Sequence, residues 1–139
     1  AWDGQPQAGA DATHSIDHLL DMGVPANKLL LGLGFYGHGW MGVTYPEPGG
    51  EAQAPARGTS QSGTADYKGL KEKCPATGEI AGTAYGFCDG QWWGYDTPAT
   101  MQAKMAFVKE NGLAGAFFWE LSGDTPDGEL IHAIAAGLG

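Results

Sequence analysis

Residues 113–119, Leu113-Ala114-Gly115-Ala116-Phe117-Phe118-Trp119, form an apolar run without polar alternation, set directly behind an Asn111-Gly112 helix stop. Such a run suits a strand covered on both faces, the environment of a parallel sheet. A second run of the same kind, Leu29, Leu30, Leu31 and Leu33, ends at Gly34. Each is preceded by a helical pattern. Thr97 and Pro98 supply a cap and a first-turn proline ahead of Met101, Met105 and Val108. Upstream, Asp11 caps a segment with Ile16, Leu19 and Leu20 at i, i+3, i+4, stopped by Gly23 and Pro25. A last helix is expected near Pro126, carrying Leu130, Ile131 and Ile134. The order helix, strand, long connection, helix, strand, helix is the repeating unit of an α/β fold with parallel strands.

The connection from Phe35 to Asp96 is roughly sixty residues, too long for a structureless loop in a compact domain. It holds its own aromatics, turn signals and both cysteines, and reads as a small inserted α+β subdomain. Ile80 to Phe87 and Gln91 to Tyr95 read as strands, while Pro46 to Gly50 and Gly58 to Gly63 read as exposed loop. Two strands alone would leave open edges beside exposed Leu and Phe, so a further part of the same protein or another copy is expected to complete the sheet.

With 139 residues, 42% hydrophobic and 17% charged, the composition is that of a folded globular chain. Sixteen acidic residues against seven Lys and Arg give a formal charge of -9. That field repels phosphate backbones and anionic headgroups, so nucleic acid and membrane surfaces are not expected partners. Neutral carbohydrate is not repelled, and five Trp and five Tyr offer flat faces for sugar rings. No apolar run is long enough to span a bilayer, and the first residues have no signal-peptide pattern. Cys74 and Cys88 have neither CxxC spacing nor a nearby His. They are either a disulfide, closing a loop of about 15 residues at ~3 kcal/mol, or two reduced structural thiols. His14 and His18 lie at i, i+4 without a third ligand, so they are expected to face solvent, and no metal or cofactor is expected.

Leu31 to Trp40, LGLGFYGHGW, resembles the seventh strand and following loop of glycoside hydrolase family 18 chitinases, near G-x-x-x-Y-G-R-x-[WF]. Trp93-Gly94-Tyr95-Asp96, Lys104, and Gly115-Ala116-Phe117-Phe118-Trp119-Glu120 resemble that family's closing segment. Gly63, Asp66, Tyr67 and Tyr85 are similar to residues of the chitinase insertion domain, and Ala1-Trp2-Asp3 to the tail of the loop after the sixth strand. The resemblance implies the C-terminal portion of a TIM (β/α)₈ barrel with a small α+β insertion. It divides the chain into a barrel segment at 1–41, the insertion at 42–96 and a second barrel segment at 97–139. The cysteine-bearing pattern looks most like secreted bacterial chitinases.

Family 18 enzymes are similar in using substrate-assisted retaining catalysis: the substrate N-acetyl group attacks the anomeric carbon while one protonated Glu serves the leaving oxygen. That Glu ends a DxxDxDxE motif on the fourth strand, and the motif is absent from this chain. Asp124, Asp127 and Glu129 are the nearest look-alike, and they are expected instead to favour the dipole of the last helix. The isolated chain is therefore expected to be inactive and to contribute cleft aromatics to a barrel whose other part carries the acid. By resemblance Trp119 is the floor under the sugar before the scissile bond, Tyr36 lines the cleft, Trp2 stacks on the leaving-group side and Tyr85 forms part of the wall. Trp40 either lines the cleft or packs under the insertion. His38 stands where the family usually has Arg, replacing a permanent bidentate cation with a titratable ring. The expected partners are chitin or chitooligosaccharides and the remaining part of the barrel. The alternatives are a non-catalytic chitin-binding, lectin-like barrel and a half barrel that dimerises.

Overall fold

The computed structural model describes residues 11–59 and 61–139. The first helix, α1, spans Ala12–Asp21. Its cap Asp11 accepts from the backbone N–H of His14 at 3.0 Å. That bond, helped by the His14 ring on the other carboxylate oxygen at 2.7 Å, lowers the Asp11 pKa below the usual carboxylate range. The remaining elements follow as β1 (Leu30–Gly34), β2 (Tyr36–Met41), β3 (Ala54–Pro55), β4 (Thr64–Asp66), α2 (Tyr67–Lys73), β5 (Gly78–Ile80), β6 (Thr83–Cys88), β7 (Gln91–Tyr95), α3 (Pro98–Glu110), β8 (Gly115–Trp119) and α4 (Glu129–Leu138).

Strands β1 and β8 pair in parallel, in register from Leu30 opposite Gly115 to Gly34 opposite Trp119. Leu31 and Leu33 turn toward the helices and join a buried core with Ile16, Met101, Met105, Val108, Leu130 and Ile134. Among the described residues the two strands are covered on one face only, so the second cover expected for such apolar runs is not supplied by this part of the chain. Leu30, Phe117 and Trp119 are 49%, 56% and 69% exposed. Strand side chains alternate, and the helices of this chain cover one side of the pair only.

Buried carboxylates set the helix starts. Asp96, 8% exposed, accepts from Thr100 Oγ1 at 2.9 Å and Lys104 Nζ at 2.5 Å at the head of α3, where Thr97 and Thr100 form a reciprocal capping box. Asp124 accepts backbone N–H bonds from Thr125, Leu130 and Ile131 at 2.8 to 3.0 Å, capping α4. Glu129 pairs with Lys71 and accepts from the Tyr67 hydroxyl at 2.9 Å, tying α4 to α2. The Asp124, Asp127 and Glu129 cluster thus sits at the start of the last helix, with two of its carboxylates committed to packing.

The second sheet is antiparallel in the order β3-β2-β7-β6-β5, with β4 added beside β2. The strand expected over Ile80 to Phe87 forms from Thr83 onward as β6, and its first residues are instead a turn: Ala81 (φ 49°) and Gly82 (φ 76°) bring β5 back into β6. Both turn residues need positive φ, and an alanine seldom signals that; the Asp89-Gly90 turn before β7 is the more readable kind. Strand β2 and helix α2 add regular structure where the sequence shows no strand or helix pattern of its own, although Tyr67 and Leu70 stand at the i, i+3 spacing that buries them. One face of this sheet, with Ala65, Trp93 and Tyr95, closes over Tyr67 and Leu70. A Cys74–Cys88 disulfide, Cα atoms 5.6 Å apart, ties the end of α2 to the end of β6. The buried Tyr95 hydroxyl donates to the Cys74 carbonyl at 2.8 Å, and burial pushes its pKa up to about 12.

Replacing both cysteines by serine is expected to lower the unfolding free energy by about 3 kcal/mol, read from denaturant titration in the absence of reductant. An unfolded tyrosine titrates near 10, whereas Tyr95 in the fold waits until about 12. Its contribution is therefore intact below about pH 10 and lost as the pH rises through about 12. Melting temperatures across that window should fall less steeply in Tyr95→Phe.

Candidate functional site

Phe35 is the single residue between β1 and β2, and it is fully buried. Its ring stacks on Phe118 at a centroid distance of 4.6 Å. Its N–H donates to the Trp119 carbonyl at 2.9 Å, and its carbonyl accepts from the Tyr67 N–H at 3.0 Å. One residue thereby joins the parallel pair to the second sheet at the end where β1 and β8 finish together.

Two glycines of the LGLG run face the exposed side and make room for rings. A Cβ on Gly32 would meet the Phe117 ring at 3.0 Å, and one on Gly34 would meet the Tyr36 ring at 3.1 Å. Tyr36 thus lies over Gly34, whose register partner is Trp119. Trp119 carries its indole into the open at the strand end, and its peptide bond to Glu120 is cis. Tyr36, His38, Asp66, Trp119 and Glu120 border a hollow of about 350 Å³. His38 presents its ring edge-on to Tyr36, with centroids 5.4 Å apart at 82°. Asp66 and Thr64 of β4 stand opposite Tyr36 and His38. The Ser122 hydroxyl bonds the Glu120 carboxylate.

The structure brings Trp119 and Tyr36 together, as well as His38, but not Tyr85. Tyr85 lies two strands away, in the row His38–Gly94–Tyr85, which is about 10 Å at ordinary strand spacing. It stacks on Trp92 at 5.6 Å. Trp2 falls outside the described residues. Trp40 stands on the same face as Tyr36 and His38, 42% exposed. Among the described residues no three His, Cys, Asp or Glu side chains gather as a metal would require, and no helix is long and apolar enough to cross a membrane. Sequence reasoning missed Asp66 and Glu120 as lining groups. Glu120 directly follows the strand-end Trp119 and could have been found; Asp66 is placed only by the pairing of β4 with β2.

A parallel strand pair backed by helices, with aromatic rings at its strand-end rim and an antiparallel sheet alongside, defines a portion of an α/β barrel. The chain belongs to the glycosyl hydrolases family 18, whose family model matches residues 3–124. It is 56% identical over 138 residues to chitinase 63 of Streptomyces plicatus, covering 99% of this chain and 23% of that protein. The catalytic domain of the psychrophilic chitinase B from Arthrobacter TAD20 superposes with a TM-score of 0.89 at 34% identity, over 98% of this chain and 32% of that one. Human YKL-39, described as a pseudo-chitinase with retained chitooligosaccharide binding, superposes with a TM-score of 0.87 at 25% identity, over 100% of this chain and 43% of that one. The chain thus spans about a quarter of the length of the curated relatives it matches.

The site depends on β2 lying close over the core beneath the second sheet. A Cβ on Gly39 would come within 2.3 Å of the Trp93 ring, which is itself buried. Gly39→Ala is therefore expected to destabilise the fold by about 1–3 kcal/mol, checked by denaturant unfolding.

Proposed function

We propose that this chain is the C-terminal part of a chitinase that hydrolyses β-1,4-linked N-acetylglucosamine polymers, contributing the aromatic floor and wall of the cleft while the catalytic acid lies elsewhere in the barrel. The carrying observation is the Trp119 indole, 69% exposed at the end of β8 beside Tyr36. A solvent-open tryptophan at a barrel strand end has its face free for a pyranose ring, and such stacking contributes about 0.5–1.5 kcal/mol beyond burial.

In the substrate-assisted retaining reaction, the N-acetyl carbonyl oxygen attacks the anomeric carbon as the glycosidic bond breaks, and a protonated Glu supplies the leaving oxygen's proton. Water then opens the cyclic intermediate with the same Glu acting as base. No residue of this chain is required as nucleophile or acid. Its part is to hold the sugar ring before the scissile bond on Trp119, with the Tyr36 hydroxyl available as a hydrogen-bond partner. The division at 42–96 assigns the wall to the inserted subdomain, with Tyr85 in that wall, and places Trp2 on the leaving-group side. The exposed face with Leu30 and Phe117 is then the barrel interior, to be covered by the remaining strands. Secretion is consistent with the Cys74–Cys88 disulfide, because such bonds persist in oxidising compartments.

A second reading, a chitin-binding barrel without turnover, is favoured by the likeness to YKL-39, whose binding is described as retained in a pseudo-chitinase. The two differ at one residue, the last position of the fourth-strand motif in the complete protein. Turnover of chitooligosaccharides by the full-length protein selects between them. In that protein Trp119→Ala should weaken oligosaccharide binding by about 2- to 12-fold, read by calorimetric titration. The isolated chain should show no hydrolysis. Unchanged binding in Trp119→Ala removes the reading of this rim as a sugar site.

A further inference from the structure

The exposed face of the second sheet carries more aromatic surface than its packing uses. Along β2, Tyr36, His38 and Trp40 alternate onto one side, so Trp40 stands about 13 Å beyond Tyr36 at ordinary strand rise. In register opposite Trp40 is Trp92 of β7, with ring centroids 5.9 Å apart and planes tilted by 49°, so the two indoles form an open V. Trp92 is held from two sides: its indole N–H donates to the Pro46 carbonyl at 3.1 Å, and Tyr85 stacks on it at 17°. The core of the insert lies under the opposite face, where Trp93 and Tyr95 are 3% exposed. Trp40, at 42%, fills no core.

The V opens into a notch of about 490 Å³, with Val43 and Ala52 beside the indoles and the Pro48-Gly49-Gly50 turn as the facing wall. The turn at that wall calls for glycine twice: Gly49 sits at φ 100°, and a Cβ on Gly50 would meet the Tyr45 ring at 3.1 Å. Among the described residues bordering the notch, Glu47 is the charged one. A carboxylate on a chain of net charge -9 disfavours an anionic occupant. A volume within the usual range for small ligands, two angled indoles and one acceptor carboxylate suit an uncharged ring with a C–H face and donating hydroxyl or amide groups.

We propose that the Trp40–Trp92 notch is a second pyranose-binding station, engaging a distant sugar unit of the same neutral N-acetylhexosamine chain whose reacting end lies on Trp119. Continuity argues for one path: Tyr36, His38 and Trp40 lie in a single row leading from the strand-end hollow to the notch. The inference rests on the reading of Trp119 as a sugar floor. Only a chain long enough to span the interval between Tyr36 and Trp40 engages both stations.

The test uses the full-length protein and compares the two-unit with the six-unit N-acetylglucosamine oligomer in calorimetric titration. Trp40→Ala should weaken binding of the six-unit oligomer by about 3- to 10-fold and leave the two-unit oligomer unchanged. Trp40→Phe, which keeps a flat ring, should restore six-unit binding to within about twofold of the parent protein. Trp119→Ala should weaken both oligomers. If Trp119→Ala weakens both while Trp40→Ala weakens neither, the second station is overturned and the cleft reading stands. If Trp119→Ala weakens neither, the cleft reading falls and the station with it. Equal weakening of both oligomers by Trp40→Ala, or a Trp40→Phe protein as weak as Trp40→Ala, also overturns the station, since either result marks Trp40 as a packing residue.

Discussion

The hydrogen-bonded stack at Phe35 is the constraint on which the rest of the molecule depends. Its N–H belongs to the Trp119 carbonyl, its carbonyl to the Tyr67 N–H, and its ring to Phe118. Through it β8 and α2 are fixed to the same residue that separates β1 from β2. The chain passes from a parallel pair to an antiparallel sheet in one step without leaving a buried backbone group unpaired at Phe35. Because the backbone of Trp119 is engaged there, its indole is left at the rim beside Tyr36. Gly123 accommodates the junction: a Cβ at that position would lie 2.3 Å from the Phe35 carbonyl oxygen.

The aromatic residues divide by face rather than by type. Trp93 and Tyr95 close the core beneath the second sheet, whereas Trp40, Trp92 and Tyr85 occupy its outer side, and Trp119 the strand-end rim. Period-two alternation makes this division, so adjacent tryptophans 92 and 93 have opposite fates. The glycines of LGLGFYGHGW follow the same rule. Gly32 and Gly34 lie under rings on the open face, while Gly37 and Gly39 lie against Leu70, Tyr95 and Trp93 on the closed one.

The acidic surplus is partly structural. Asp96 holds Thr100 and Lys104 at the head of α3, Asp124 caps α4 through three backbone N–H groups, and Glu129 binds Lys71 and Tyr67. Burial, followed by the hydrogen bond to Glu129, keeps the Tyr67 hydroxyl protonated well above the usual tyrosine range. These bonds turn a dipole-favoured cluster of carboxylates into the clamp between α2 and α4.

Local order determined much of this protein from sequence alone. Apolar runs set both parallel strands, and Thr97-Pro98 and Asn111-Gly112 set α3, because capping and burial patterns act over a few neighbouring residues. The motif around LGLGFYGHGW also carried the family. What pairing across long separations decides was not readable there. Strand β2 looked like the start of an irregular connection because its partners β3, β4 and β7 lie from about 13 to about 56 residues further on. The exposure of Leu30 and Phe117 depends on which side the helices cover, and the Trp40–Trp92 notch exists only because two strands distant in the chain lie in register. A sequence states what each residue prefers nearby; which rings come to share a face is set when the strands pair.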